Sequence, residues 1–332
     1  NSHIESVKQL LPFQSQNTCY SPFSLMHALL ILSHTSDDAA IQELMKKLNL
    51  DQKSMQLLSA AVQSDKSTTL ASNIFKKQVS MVTPDFKKLM QDLFQIVPEQ
   101  LLSATQVNKW CADHTKNRIT SIIDDISGIE AILISAIHFK ANWKHQFNKK
   151  LTAPKPFYGV ASQSDVQMMS MKQKFLYRDT NNSQILKMEY ENTKMTALVI
   201  LPKKTEQFHE ALSNGNLTAS MQLEEVTLQM PKFKLENTFQ LKETLEKLGV
   251  TKIFQSIDCK KTLGEELCVD SIVQKTFIQV DEEGTEAAAV TVAKLKCKSM
   301  MKEEVINMIC NRPFWFVLQM EGVPIFVTSY VQ

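Results

Sequence analysis

Glycine is scarce in this chain, 7 in 332 residues, which leaves little room for long flexible joints. There is no G-x-G-x-x-G, no G-x-x-x-x-G-K-S/T and no G-x-S-x-G. Neither a glycine-rich phosphate cradle nor a nucleophile elbow is therefore present. His209-Glu210 runs on into Ala-Leu-Ser, so it is not an H-E-x-x-H zinc helix. The seven histidines (His3, His27, His34, His114, His138, His145, His209) fall singly and read as structural or surface groups. These absences leave no positive case for an enzyme, a cofactor or a metal, although a site assembled from distant residues stays open. No apolar run approaches the roughly 20 residues that span a bilayer. The net charge of +2 gives no reason to invoke nucleic acid or a membrane surface. The six cysteines (Cys19, Cys111, Cys259, Cys268, Cys297, Cys310) show no CxxC and are too sparse for a disulfide scaffold. They are expected to be mostly buried free thiols.

Hydrophobic residues at 43% and charged residues at 22% describe a globular chain with a sizeable core. No Pro/Gly/Ser-rich linker and no internal repeat divides it, so one unit over residues 1–332 is expected. The opening NSHIESVKQLLPF has no apolar core of signal-peptide length, and localisation stays open. Sequons at Asn181 and Asn216 would matter only in a secreted protein. The first half reads mainly helical: SPFSLMHALLIL, SDDAAIQELMKKLNL, TPDFKKLMQDLF and TQVNKWCADHTKNRI. From Ala131 onward strands dominate, in AILISAIHF, TALVILP, EVTLQMPKFKL, RPFWFVLQM and VPIFVTSYV. One later helix, TFQLKETLEKLG, closes on Gly249.

The stretch DEEGTEAAAVTVAKLKCKS, residues 281–299, stands apart. Taken alternately, Thr285, Ala287, Ala289, Thr291, Ala293, Leu295 and Cys297 are small or apolar, while the other set carries every charge. Successive strand residues point to opposite faces, so this is a strand with one buryable face. A permanent strand would fill that face with Val, Ile or Phe. Ala and Thr pack weakly there, which suits a segment that is not always a strand.

Asp281 to Ala289 closely resembles the hinge of the serpins, whose reactive loop inserts into a large β-sheet after cleavage. The likeness extends along the chain. Asn17-Thr18-Cys19-Tyr20-Ser21-Pro22-Phe23-Ser24, Asn73-Ile74-Phe75 and Val107-Asn108-Lys109-Trp110 match successive landmarks of that family. So do Ile137 to Trp143, Val166 to Met169 with Phe175-Leu176-Tyr177, Met230 to Glu236, and Arg312-Pro313-Phe314. The resemblance implies an α+β serpin fold, with helices around a large mixed sheet, smaller sheets and an exposed reactive loop at about 282–304. It implies a monomeric suicide-substrate inhibitor of serine proteases, with no cofactor. An attacking protease would form an acyl-enzyme, and the freed hinge would enter the sheet and trap it.

By family spacing from Gly284 the bait residue is Lys298 and the scissile bond Lys298-Ser299, which suits a trypsin-like pocket floored by a carboxylate. Met300 or Met301 would instead suit chymotrypsin-like or cathepsin G-like proteases. The hinge would comprise Glu282, Gly284, Thr285, Glu286, Ala287, Ala288 and Ala289. Glu282, Lys232 and Trp143 correspond to the breach, the point where insertion begins. Ser21, Ser24, Ser135 and Gln274 correspond to the shutter beneath the middle of the sheet. Cys297 beside the bait reads as a tolerated small residue or a redox-sensitive thiol. Where serpins usually carry Asn and His in the shutter, this chain has Ser135 and Gln274, where a Ser–Gln hydrogen bond could still bridge the strands but could not titrate as His would. Ser329-Tyr330 replaces a usual Gly-Arg pair, and the helix ahead of Asn17 is short. The alternative is a serpin-fold binding or chaperone protein whose loop no longer inserts; the small hinge residues favour the inhibitor.

Overall fold

The computed structural model describes residues 16–332 except 36–38, 40–41, 43–44, 47–51, 213–216, 248, 250, 252–253, 255–256, 265, 268 and 286–304. Two sheets carry the fold. The seven-stranded sheet runs in the order β3 (Glu99–Gln100), β2 (Thr68–Lys76), β4 (Ala131–Phe139), β14 (Ser271–Val280), β15 (Gly284–Thr285), β5 (Ala141–Asn142), with β11 (Phe233–Gln240) also paired to β14. The nine-stranded sheet runs β1 (Thr18–Tyr20), β18 (Val323–Tyr330), β17 (Phe314–Met320), β9 (Met195–Pro202), β8 (Ser183–Glu189), β7 (Gln163–Asp179), β10 (Gln222–Pro231), β16 (Ile306–Ile309), with β6 (Ala153–Tyr158) on β7. A further pair, β12 (Ile257–Asp258) and β13 (Glu266–Leu267), stands separately. The α+β arrangement expected from the resemblance, helices with a large mixed sheet and a further sheet, is the arrangement found.

Between the sheets lies α1 (Pro22–Thr35), buried over nearly its whole length. Its apolar residues are spread over every face, as in a helix enclosed by core, and Ser24 and His27 are buried among them. Ser21 starts it, its hydroxyl accepting from the Ser24 amide at 3.0 Å, and Pro22 fills the first turn, where no N–H is needed. Met168, Met169 and Met171 of β7 are buried in the same core. On the other face of the seven-stranded sheet, Val107 and Cys111 of α4 (Ala104–His114) pack over Ile132, Ile134, Val273 and Phe277.

Sequence and structure part company at several places. TQVNKWCADHTKNRI stops being helical at His114, because Lys116 and Asn117 turn left-handed (φ 55° and 59°); the cap is Ser103, one residue ahead of the helix. Thr238–Gln240 are the end of β11, held by a ladder to β14, so the next helix spans only Lys242–Lys247. The first half also contains β2, a nine-residue strand among the anticipated helices. SDDAAIQELMKKLNL lies largely outside the described residues. The final hairpin turns at Glu321-Gly322, both with positive φ (49° and 85°).

Candidate functional site: the hinge and the sheet beside it

The hinge begins as a tight turn. The Asp281 carboxylate accepts from the amides of Glu283 (3.0 Å) and Gly284 (3.2 Å), and the Asp281 N–H donates to the Gly284 carbonyl at 2.9 Å. The turn sends Gly284 and Thr285 back between β14 and β5, antiparallel to both: Thr285 faces Val280 on one side and Ala141 on the other. Gly284 is required by space. A Cβ there would lie 2.1 Å from the Ala141 carbonyl oxygen and 2.6 Å from the Asn142 Cα. Thr285 is fully buried, its hydroxyl 2.7 Å from that of Tyr190.

Trp143 locks this corner. Its indole N–H donates to the Asp281 carbonyl (3.0 Å), its amide to the Glu283 carbonyl (2.8 Å), and its ring stacks on Tyr190 at 4.2 Å. The Phe147 amide holds the Glu282 carbonyl at 2.8 Å. Glu282 and Lys232, paired from sequence, meet at 3.4 Å, and Glu283 pairs with Lys149. Burial raises the Glu282 carboxyl, but the neighbouring Thr152 hydroxyl, its own amide and Lys232 outweigh it and hold the group below its usual range. The Lys232 side chain is 42% exposed, so the pair itself contributes at most about 1 kcal/mol. The backbone bonds around Trp143 are the firmer restraint.

Midway down the sheet, the four predicted shutter residues gather at the start of α1. Ser24 Oγ lies 2.7 Å from Ser135 Oγ, which lies 3.1 Å from Ser72 Oγ, and Ser72 reaches His27 Nδ1 at 3.3 Å. Gln274 accepts from the Ser21 amide (3.2 Å) and donates to the Ser21 carbonyl (2.9 Å). Ser135 and Gln274 sit side by side in register but do not bond one another. Each strand is tethered separately to α1, which corrects the expectation of a Ser–Gln bridge. The physical reason is that the helix start offers both backbone groups of Ser21 to one amide side chain.

Several participants gave no signal in sequence. Tyr190, His27, Ser72 and Lys149 come from segments far apart, and nothing local marks a residue that touches another element. Asn108, by contrast, was flagged as a landmark. It clamps the segment after α4 over the sheet, accepting from Ile122 (2.8 Å) and Ile123 (3.1 Å) and donating to the Ile123 carbonyl (2.8 Å). Lys275 of β14 donates to the Ser121 carbonyl and pairs with Glu236 at 2.9 Å, tying that segment to β14 and β11. Glu286, Ala287, Ala288, Ala289, Cys297, Lys298, Ser299, Met300 and Met301 lie outside the described residues. Cys19, Cys111, Cys259 and Cys310 are free and buried, and burial pushes the Cys19 and Cys111 thiols up to about 12. No helix among the described residues is long and apolar enough to cross a membrane.

Two parallel strands, β4 and β14, with β15 returning between β14 and β5, define a fold class, and comparison with known proteins agrees. The sequence model of the family described as "Serpin (serine protease inhibitor)" matches residues 4–332. The chain belongs to the serpin family. It is 29% identical to "Antichymotrypsin-2" of Bombyx mori, over 92% of this chain and 89% of that protein. It is also 29% identical to "Leukocyte elastase inhibitor" of Xenopus laevis, over 91% of this chain and 89% of that protein. Among solved structures, the thermophilic serpin tengpin in its native state superposes with a TM-score of 0.88 at 24% identity, covering all of this chain and 92% of that one.

Proposed function

We propose that this chain, as one unit spanning residues 1–332, is a suicide-substrate inhibitor of serine proteases, with Lys298-Ser299 as the bait bond. The observation that carries the reading is a register. β14 and β4 pair in parallel with a constant offset from Ser271↔Ile132 to Phe277↔His138, and Thr285 bridges Val280 and Ala141 with that same offset. A strand continued from Thr285 needs no slip. It would set Ala287 between Ile278 and Phe139, Ala289 between Thr276 and Ile137, and Thr291 between Gln274 and Ser135. These are the small residues of the alternating set, and all would face α1 with Thr285.

Such a strand gains ladder bonds on both edges, worth about 0.5–1.5 kcal/mol each and on the order of 10 kcal/mol in all. The uninserted form is then held by a barrier and not by its free energy. Lys298 would pass the far end of β14, a travel of roughly 40 Å at about 3.3 Å per residue. An acyl-linked protease would be carried with it and distorted before deacylation. Glu282, Lys232 and Trp143 would guard the opening, and Ser21, Ser24, Ser135 and Gln274 would hold the strands that must part. A Lys bait fits a trypsin-like protease; Met300 or Met301 would fit a chymotrypsin-like or cathepsin G-like one.

Incubation with trypsin, and in parallel with cathepsin G, tests this on denaturing gels with mass analysis of the released peptide. A denaturant-resistant complex with a peptide beginning at Ser299 is expected. A peptide beginning at Met301 or Lys302 would move the target class. Cleavage with no complex and no gain in heat stability would overturn the inhibitor in favour of a non-inserting binding or chaperone protein.

A further inference from the structure

The seven-stranded sheet has an edge that is only partly used. β4 pairs with β2 along all of Thr68–Lys76, whereas β3 covers the other side of β2 only at Phe75 and Lys76. The Leu101 amide donates to the Lys76 carbonyl, and on the opposite edge the Lys140 amide donates to the Ser67 carbonyl. The alternation of an antiparallel ladder therefore turns both backbone groups of Leu70, Ser72 and Ile74 away from β4. The Thr68 amide is taken by the Asp65 carbonyl and the Ile74 amide by Asn73 Oδ1 at 2.9 Å. The N–H and C=O of Leu70 and Ser72 have no partner among the described residues.

This bare stretch lines a cavity of about 410 Å³. One wall is Phe94–Val97, with Val97 58% exposed; the other is the Trp110–His114 pair, stacked at 4.2 Å. Thr68, 6% exposed, also lines it and leaves its hydroxyl without a partner. Among the described lining residues the single formally charged one is Glu99, oriented by the Asn73 amide at 3.1 Å.

We propose that this edge of β2 is a binding site for an extended peptide segment of a partner protein, taken up as an added strand. A helix has its backbone groups already paired and offers nothing to Leu70 and Ser72; an extended chain presents the alternating donors and acceptors that match them. Alternate side chains of the segment meet Trp110 and His114 on one face and Phe94 and Ile96 on the other, so apolar residues are required there. A Lys or Arg belongs opposite Glu99. The site is separate from the β4–β14 seam and does not depend on protease inhibition.

The test is amide hydrogen exchange on the full chain, with a blocked hexapeptide alternating valine with threonine and carrying one lysine as the probe. In the free protein the Leu70 and Ser72 amides should exchange faster than those of Ala71 and Asn73. Millimolar peptide should slow Leu70 and Ser72 saturably, by about tenfold or more. Glu99→Gln should weaken binding about two- to fivefold, the worth of an exposed ion pair. Leu70→Pro removes an outward donor without touching the ladder to β4; if its melt matches the parent, it should abolish protection at Ser72. No protection at Leu70 and Ser72, protection appearing instead along β4 and β14, or binding indifferent to Glu99→Gln would overturn the proposal.

Discussion

Replacing Gly284 by alanine should expel the hinge from the sheet. The added Cβ would meet two backbone atoms, the Ala141 oxygen at 2.1 Å and the Asn142 Cα at 2.6 Å, and neither belongs to a side chain that can swing away. Relief requires β15 to leave β5, which loses the pairing of Gly284 with Asn142 and of Thr285 with Ala141. Two backbone hydrogen bonds at about 1 kcal/mol each go with it. The Tyr190 hydroxyl also loses Thr285 and stays buried, a further penalty of about 1–3 kcal/mol. The expected destabilisation is about 3–5 kcal/mol. Gly128→Ala is the control, because Gly128 has a positive φ (74°) but open space around its Cβ position. It should cost only about 1 kcal/mol, the price of the left-handed backbone. Unfolding in urea measures both. Fluorescence of Trp143, which donates to Asp281 in the same turn, reports whether the hinge has moved. If Gly284→Ala unfolds within about 1 kcal/mol of Gly128→Ala with unchanged Trp143 emission, the close approach described here is wrong.

Burial lowers both His27 and His138 to about 4, with Lys116, Arg118 and Lys140 adding to the effect on His138. An unfolded histidine takes a proton near 6.5 and these resist until about 4, so stability is full above 6.5 and falls as pH drops to 4, by about 3 kcal/mol per histidine. Urea midpoints across that window check this, and His138→Leu should flatten part of the slope. Ser135→Ala strands the Ser24 hydroxyl and leaves Ser72 with His27 alone, and should cost about 1–3 kcal/mol, read from the same midpoints. Asn108→Ala removes three bonds from the segment over the sheet and should speed hydrogen exchange at Ile122 and Ile123 well before global unfolding.

The alternation of Thr285 through Cys297, and the motifs along the rest of the chain, made the family legible from sequence, because strand periodicity and short motifs are local properties. The start of α1 at Ser21-Pro22 was readable for the same reason. β2 was not: its nine residues are held by β4 and acquire strand character through a partner some sixty residues on. The residues around the hinge divide in the same way. Glu282, Lys232 and Trp143 could be matched to landmarks, but Tyr190 enters only through the fold, its ring against Trp143 and its hydroxyl on Thr285. The sequence by itself determined the alternation of small residues from Thr285 to Thr291 and the Gly284 that precedes it. Tertiary structure alone decided that Thr285 already sits in the register of β4 and β14, that Gln274 is tethered to Ser21 and not to Ser135, and that His27 lies in the shutter network. Those facts depend on which strands and helices lie side by side, and contacts between distant segments leave no periodic trace in either one.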